Sequence, residues 1–454
     1  MNICIKMHKI LHKVLFVISI ILITSCDNKE YINAVPSTVT ALVKIDMPKI
    51  GDNKVFQSVA SFLQVENFRD CGIDVTGELF LFETSEGNLG LCAKVDDSDK
   101  LLSVLNKLSK TGKTGRVFTQ GKCSYTDINS SWAVGFSDKT LLVLGPVSSA
   151  ALPEEQRHLA KLLKQDEDAS VVNHPIYAKL DSMDNAISMV AQIQAMPEKF
   201  IAPFTVGMPK NADPSQIYMA AKINKHNGII KFEGETFSFD KSFDSAIKKA
   251  NSVYRNIKGD YVACMPQDYS FGLFANIDGK EFLPLLQKSK PLQTLLVGLN
   301  TAIDFDNIIK SVNGDFALMS SRLSTENLNM TMLATVERNP SWLSDVNYWK
   351  QSCPQGSSLT GTLPSWNYKS GNTDLKFGIY GNQFYATTDK MLLPAERGKV
   401  KSIDKDLEKL IIGNRMVLLL NIRSIIDAQS LPSGVMEILS PLLDGASTVV
   451  YVMK

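Results

Sequence analysis

Histidine is scarce in this chain, with five among 454 residues. His8 and His12 lie in a basic N-terminal stretch, which leaves His158, His174 and His226 far apart and outside H-E-x-x-H or any other ligand spacing. His158 stands beside Leu159, Leu162 and Leu163 in an amphipathic stretch and is expected to be solvated. His226 belongs to the turn at Asn227-Gly228, and His174 precedes Pro175, which favours extended backbone. No G-x-S-x-G elbow supplies a serine for a histidine-dependent triad. Gly112-Lys113-Thr114 resembles the end of a phosphate loop, but Lys107 occupies the position where that loop needs glycine, so a plain turn is expected. The seven cysteines include no C-x-x-C pair, which removes a zinc ribbon and a thioredoxin motif. Cys92 and Cys264 have apolar neighbours and are expected as buried thiols, while a disulfide among Cys71, Cys92 and Cys123 stays open, as does the state of Cys353. Charge of one sign is also missing: no block is longer than Asp166-Glu167-Asp168, so a nucleic-acid partner is not expected. Neither a cofactor nor a metal is called for.

What the sequence has begins with a three-zone targeting segment. Lys6, Lys9 and Lys13 form a basic region, and residues 14–23 follow with no charge. As a helix that apolar run rises about 15 Å, half of a hydrocarbon core of about 30 Å, so it does not serve as a lasting span. The segment closes on Ile23-Thr24-Ser25-Cys26, which looks like a lipobox, an aliphatic residue and two small ones before the cysteine. Residues 1–25 are therefore expected to be a signal peptide, Cys26 the lipidated residue that anchors the mature chain to a membrane, and residues 26–30 a polar tether. The acidic Asp27 resembles surface-export signals in some Gram-negative anaerobes and inner-membrane retention signals elsewhere. The two readings conflict, and the outer membrane is favoured over the inner.

The second half of the chain echoes the first. Tyr31 to Pro36 is answered by Tyr261 to Pro266, Val75-Thr76-Gly77-Glu78 by Val312-Asn313-Gly314-Asp315, and residues 187–193 by 416–422. Between them, strands at 89–95 and 328–336, helices at 98–108 and 341–350, and hairpins around Ser137-Asp138-Lys139 and Gly381-Asn382 recur in the same order. The period is far longer than the roughly 20–50 residues of solenoid repeats. Two tandem duplicated domains, 31–259 and 260–454, are expected.

Short apolar runs bounded by turns indicate an α+β fold, with largely antiparallel sheets and helices packed on one face. Asn227-Gly228 predicts a hairpin, since a type I′ turn needs positive φ at both central residues. Phe243, Ala246, Ile247, Ala250, Val253 and Tyr254 form one apolar stripe of a helix over 240–255, opened by Asp240 as N-cap. That helix and the strand at 229–232 are expected to be unique to the first half, with Lys258-Gly259-Asp260 as the connector.

Strand, helix, hairpin, helix and hairpin after a Tyr-x-x-x-x-Pro opening resembles a family of uncharacterised envelope lipoproteins from Gram-negative anaerobes, a domain-of-unknown-function family. The resemblance implies an extracytoplasmic location and a two-part architecture, and it carries no catalytic residue. Asp181-Ser182-Met183 and Asp244-Ser245-Ala246 resemble O-glycosylation acceptors of such organisms. Of the four tryptophans, Trp132 and Trp342 are expected in the core, whereas Trp366 and Tyr368 in the stretch 364–368 are the ligand-binding candidates, because loops carry function more often than cores. The expected function is a non-enzymatic, membrane-anchored envelope module for a protein or glycan partner. The alternative is an extracytoplasmic hydrolase, for example a glycosidase, using a carboxylate pair.

Overall fold

A computed structural model describes residues 29–50, 65–196, 201, 204–208, 213–288, 303–322, 329–371, 373–388, 402–424 and 445–453. The signal segment and Cys26 lie outside the described residues. The chain divides into two compact units, Met1–Ser182 and Met183–Lys454.

In the first unit seven strands carry the fold: β1 (Ala41–Asp46), β2 (Glu78–Glu83), β3 (Leu89–Lys94), β4 (Phe118–Gln120), β5 (Cys123–Ile128), β6 (Trp132–Phe136) and β7 (Thr140–Gly145). They pair in the order β1-β2-β3-β7-β6-β5-β4, antiparallel throughout. Every residue of β6 and β7 is buried, the pattern of strands covered on both faces. The β6–β7 turn closes because the Ser137 hydroxyl accepts the N–H groups of Lys139 and Thr140. Besides one helical turn at Met47–Ile50, three longer helices accompany these strands among the described residues: α1 (Ser98–Lys110), α2 (Leu152–Leu162) and α3 (Pro175–Asp181). In α1 the buried residues Leu101, Val104, Leu105 and Leu108 repeat at helical spacing, and the Asp97 carboxylate caps the start by accepting the Lys100 N–H. The Tyr31 opening is a single 3-10 turn, after which Pro36 bridges to Ser170.

The second unit holds β8 (Ile187–Gln192), β9 (Tyr218–His226), β10 (Ile229–Phe237), β11 (Tyr254–Arg255), β12 (Phe271–Asp278), β13 (Val312–Arg322), β14 (Asn329–Val336), β15 (Ser357–Thr362), β16 (Ser365–Ser370), β17 (Thr373–Tyr380), β18 (Gln383–Thr387), β19 (Met416–Asn421) and β20 (Thr448–Met453). Their order is β8-β9-β10-β20-β19-β12-β13-β14-β18-β17-β16-β15, with short β11 extending alongside β12. Only the β10–β20 contact among these is parallel. The run β12-β13-β14-β18-β17-β16-β15 repeats the order of the first unit strand for strand. Here too the opening tyrosine leads into a 3-10 turn, and Pro266 bridges to Ser402 as Pro36 does to Ser170. The helices are α4 (Lys241–Asn251), α5 (Gly279–Leu286), α6 (Phe305–Lys310), α7 (Val346–Gln351) and α8 (Lys405–Ile411).

Helices cover both faces of this sheet, not the single face expected. Met416, Leu418 and Leu420 of β19 join one core cluster, which contains Ile247 of α4, Ile308 of α6 and Val346 and Trp349 of α7. Val417 and Leu419, pointing the other way, join a second cluster with Leu407 and Ile411 of α8 and with Tyr261, Val262 and Met265. A strand with no polar alternation has no face to offer water, and each fully buried leucine or valine contributes about 1.5–3 kcal/mol. The expected helix over 240–255 is also shorter. It ends at Asn251, because Tyr254 and Arg255 pair instead with Ile277 and Asn276 of β12. Asn227 and Gly228 take φ of 48° and 76°, the turn that the dipeptide predicts. The chain divides between Ser182 and Met183, whereas the two expected domains divide at 259/260. The two differ because β8 and β9 pair with β10, and β10 pairs with β20 near the C-terminus.

Candidate functional site

A charged cluster built around the buried Lys44 joins residues 29–31 to β1, β2 and α3. Strand β1 alternates Leu42 and Lys44 towards the interior, so Lys44, 6% exposed, occupies a position otherwise taken by an apolar residue. A buried ammonium needs a partner, since leaving one unpaired costs several kcal/mol. Lys44 Nζ lies 3.5 Å from Glu78 Oε1 and 3.5 Å from the Asp181 carbonyl oxygen, to which it donates. Lys29 reaches the same two residues: its Nζ donates to the Asp181 carboxylate at 2.9 Å and to the Tyr177 hydroxyl at 3.3 Å, and stands 3.9 Å from Glu78 Oε2. The Tyr31 hydroxyl donates to the Glu78 carbonyl at 2.8 Å. On the next residue, the Glu30 carboxylate accepts from Lys139 Nζ at 2.7 Å.

Burial raises the phenols of Tyr31 and Tyr177, the latter against the opposing pull of Lys29. For Lys29 burial acts downwards, but the hydrogen bond to Asp181 and the neighbouring Tyr177 outweigh it and hold the ammonium above its ordinary range. None of these three groups moves towards neutral pH, and their contacts fasten residues 29–31 to the rest of the first unit. It was not singled out from the sequence. The signal that was present is Lys44 itself, one charge inside the apolar run Ala41-Leu42-Val43-Lys44-Ile45.

A buried carboxylate fastens residues 258–260 in the second unit. Asp315, 2% exposed, accepts the backbone N–H groups of Lys258, Gly259 and Asp260 at 2.7–3.0 Å and the Asn276 side-chain amide at 2.7 Å. Glu78 and Asp315 are the two acids matched between the halves in sequence, and each holds chain that leads into a Tyr-x-x-x-x-Pro opening.

The residues expected at a ligand site are placed differently. Trp366 and Tyr368 belong to strand β16, not to a loop, because Trp366 pairs with Gly361 and Phe377 on either side. Trp366 is 5% exposed, stacks on Phe377 at 5.5 Å and meets Trp342 edge-on at 6.2 Å, so its ring serves packing. Tyr368 is half-buried against the same core. Trp132 and Trp342 are buried as expected. His174 is the N-cap of α3, its Nδ1 accepting the Ile176 N–H at 3.2 Å. His158 faces Glu155 with 3.4 Å between Nδ1 and Oε1, and His226 ends β9. Cys71, Cys92, Cys123, Cys264 and Cys353 are all free thiols.

Half-buried acids elsewhere serve the fold in the same way. Glu83, pushed above the ordinary carboxylate range by burial, accepts from the Thr40 hydroxyl, and Asp74 accepts from Thr76. Among the described residues no group of three or more His, Cys, Asp or Glu is arranged to hold a metal ion. No helix among them is long and apolar enough to cross a membrane.

No curated protein sequence matches the chain. Among solved structures, crystal form I of TP0453 aligns at 6% identity over 79% of this chain and 91% of its own, with a TM-score of 0.26. Crystal form III of TP0453 gives 6% identity, 81% and 98% coverage, and a TM-score of 0.25. Scores this low assign no common fold. A family model described only as a domain of unknown function, DUF4836, matches residues 52–417, and the chain belongs to that family.

Proposed function

We propose that the mature protein is a lipid-anchored, non-enzymatic module of the cell envelope, built from two tandem copies of one α+β unit and capturing a protein or glycan partner at the outer membrane. The observation that carries the anchoring is the run Ile23-Thr24-Ser25-Cys26, closing a basic and then apolar segment three residues before the chain is tied into the fold at Lys29. The tandem reading is supported by the strand order shared by β1–β7 and β12–β18, and by the matched bridges Pro36–Ser170 and Pro266–Ser402. A non-enzymatic role is favoured because Glu78, Glu83 and Asp315 hold other parts of the fold and His174 caps α3. Replacement of Cys26 by alanine tests the anchoring. The variant is expected to leave the detergent-extracted membrane fraction and to lack the mass of a diacylglyceryl group. Membrane partitioning equal to that of the parent would sink the proposal.

A further inference from the structure

We propose that Lys29 and Glu30 end the membrane tether almost at once, so that the end of the first unit formed by Lys29, Asp138, Lys139 and Asp181 lies against the lipid headgroups. This rests on the anchoring at Cys26. Only Asp27 and Asn28 separate Cys26 from Lys29. Three residue steps at about 3.6 Å span about 11 Å at most. From Lys29 onward the chain is tied to the first unit. Lys29 Nζ is held by Asp181 at 2.9 Å and lies 5.8 Å from the centroid of the Tyr177 ring. Glu30 is paired with Lys139 at 2.7 Å, and Tyr31 and Ile32 are buried at 5% and 0% exposure. A tether of polar residues 26–30 would swing freely; with its last two residues clamped, the first unit takes one orientation to the bilayer.

The end that faces the lipid follows from the register. Lys94, the last residue of β3, pairs with Thr140, the first of β7, so the Ser137–Thr140 turn lies at the Lys29 end. The β2–β3 turn around Glu86 lies at the other end of the same strands, about 20 Å away at roughly 3.3 Å per residue. The clamped end mixes Lys29 and Lys139 with Glu30, Asp138 and Asp181. It therefore lacks the basic excess that draws a surface to anionic lipid, and apposition comes from the short tether alone.

The test uses full-length lipidated protein in phosphatidylcholine vesicles containing a lipid with a nitroxide on its headgroup. Fluorophores are placed at D138C or at E86C, each with C264S and C353S to remove the half-buried thiols. Quenching at position 138 is expected to be several-fold stronger than at 86. The contrast should vanish when a long Gly-Ser linker is inserted between Asn28 and Lys29, and weaken in the double variant K29A/E30A. Equal quenching at the two positions in protein shown by mass to carry diacylglyceryl at Cys26 would overturn the clamp and leave the anchoring intact. So would a contrast that survives the linker. Absence of the lipid mass overturns the anchoring reading, and the clamp with it.

Discussion

Trp366 illustrates how a residue's role changes with its neighbours. In sequence it sits between Ser365 and Asn367 beside Pro364, the composition of a surface loop. In the fold its ring lies in a cluster with Trp342, Phe377 and Phe384. Trp366→Ala is accordingly expected to lower the unfolding free energy by about 3–5 kcal/mol, the range for truncating a buried aromatic. Urea titration followed by far-ultraviolet dichroism measures this, and a change below about 1 kcal/mol would mean the ring does not serve the core. His174 gives a pH dependence at the same scale. Burial lowers its pKa from the ordinary 6.5, and its unprotonated Nδ1 caps α3. The unfolded chain therefore takes up a proton at this residue before the folded chain does. Its contribution is fully present above pH 6.5 and is lost as the pH falls through the depressed folded value. Melting temperatures recorded from pH 8 to 5 should fall further in the parent than in His174→Asn, which keeps a capping oxygen that does not titrate. Parallel curves would count against the assignment.

At the scale of elements, the connection between β11 and β12 depends on one side chain. A bulge where β13 shifts register between Val312 and Phe316 brings Asp315 under residues 258–260. Gly314 permits it, since a Cβ there would lie 2.8 Å from that of Thr335. Asp315→Ala removes the acceptor for three backbone N–H groups and the Asn276 amide, each costing about 1–3 kcal/mol if left buried and unmet. A loss of at least about 3 kcal/mol is expected by urea titration, with Asp315→Asn intermediate because one carbonyl acceptor remains. Equal stability of Asp315→Ala and parent would remove the latch. Part of this was legible: the step Val312-Asn313-Gly314-Asp315 stands out beside Val75-Thr76-Gly77-Glu78. What each acid binds was not, because the partners of Asp315 at Lys258 to Asp260 are 55 to 57 residues away. The hairpin at Asn227-Gly228 was fully legible, since its cause is the two positive φ angles that those residues accept.

For the molecule as a whole, the proposed anchoring at Cys26 is separable from folding: Cys26→Ala is expected to change membrane partitioning while leaving the melting temperature of the purified protein where it was. The amino-acid sequence by itself determined the features whose causes are local or periodic: the turn at Asn227-Gly228 and the amphipathic stripe of α4 from Phe243 to Ala250. Tertiary structure alone decided which face of each element is covered and by what. Residues 416–420 read as apolar without alternation, and only packing shows α8 on one side of them and α4, α6 and α7 on the other. It also decided which charges are buried and what meets them. Lys44, buried in β1, donates to the Asp181 carbonyl 137 residues away, and no local pattern links the two. A strand's hydrogen bonds and a turn's dihedral angles depend on residues a few positions away, whereas the partner of a buried charge depends on where the rest of the chain has been brought.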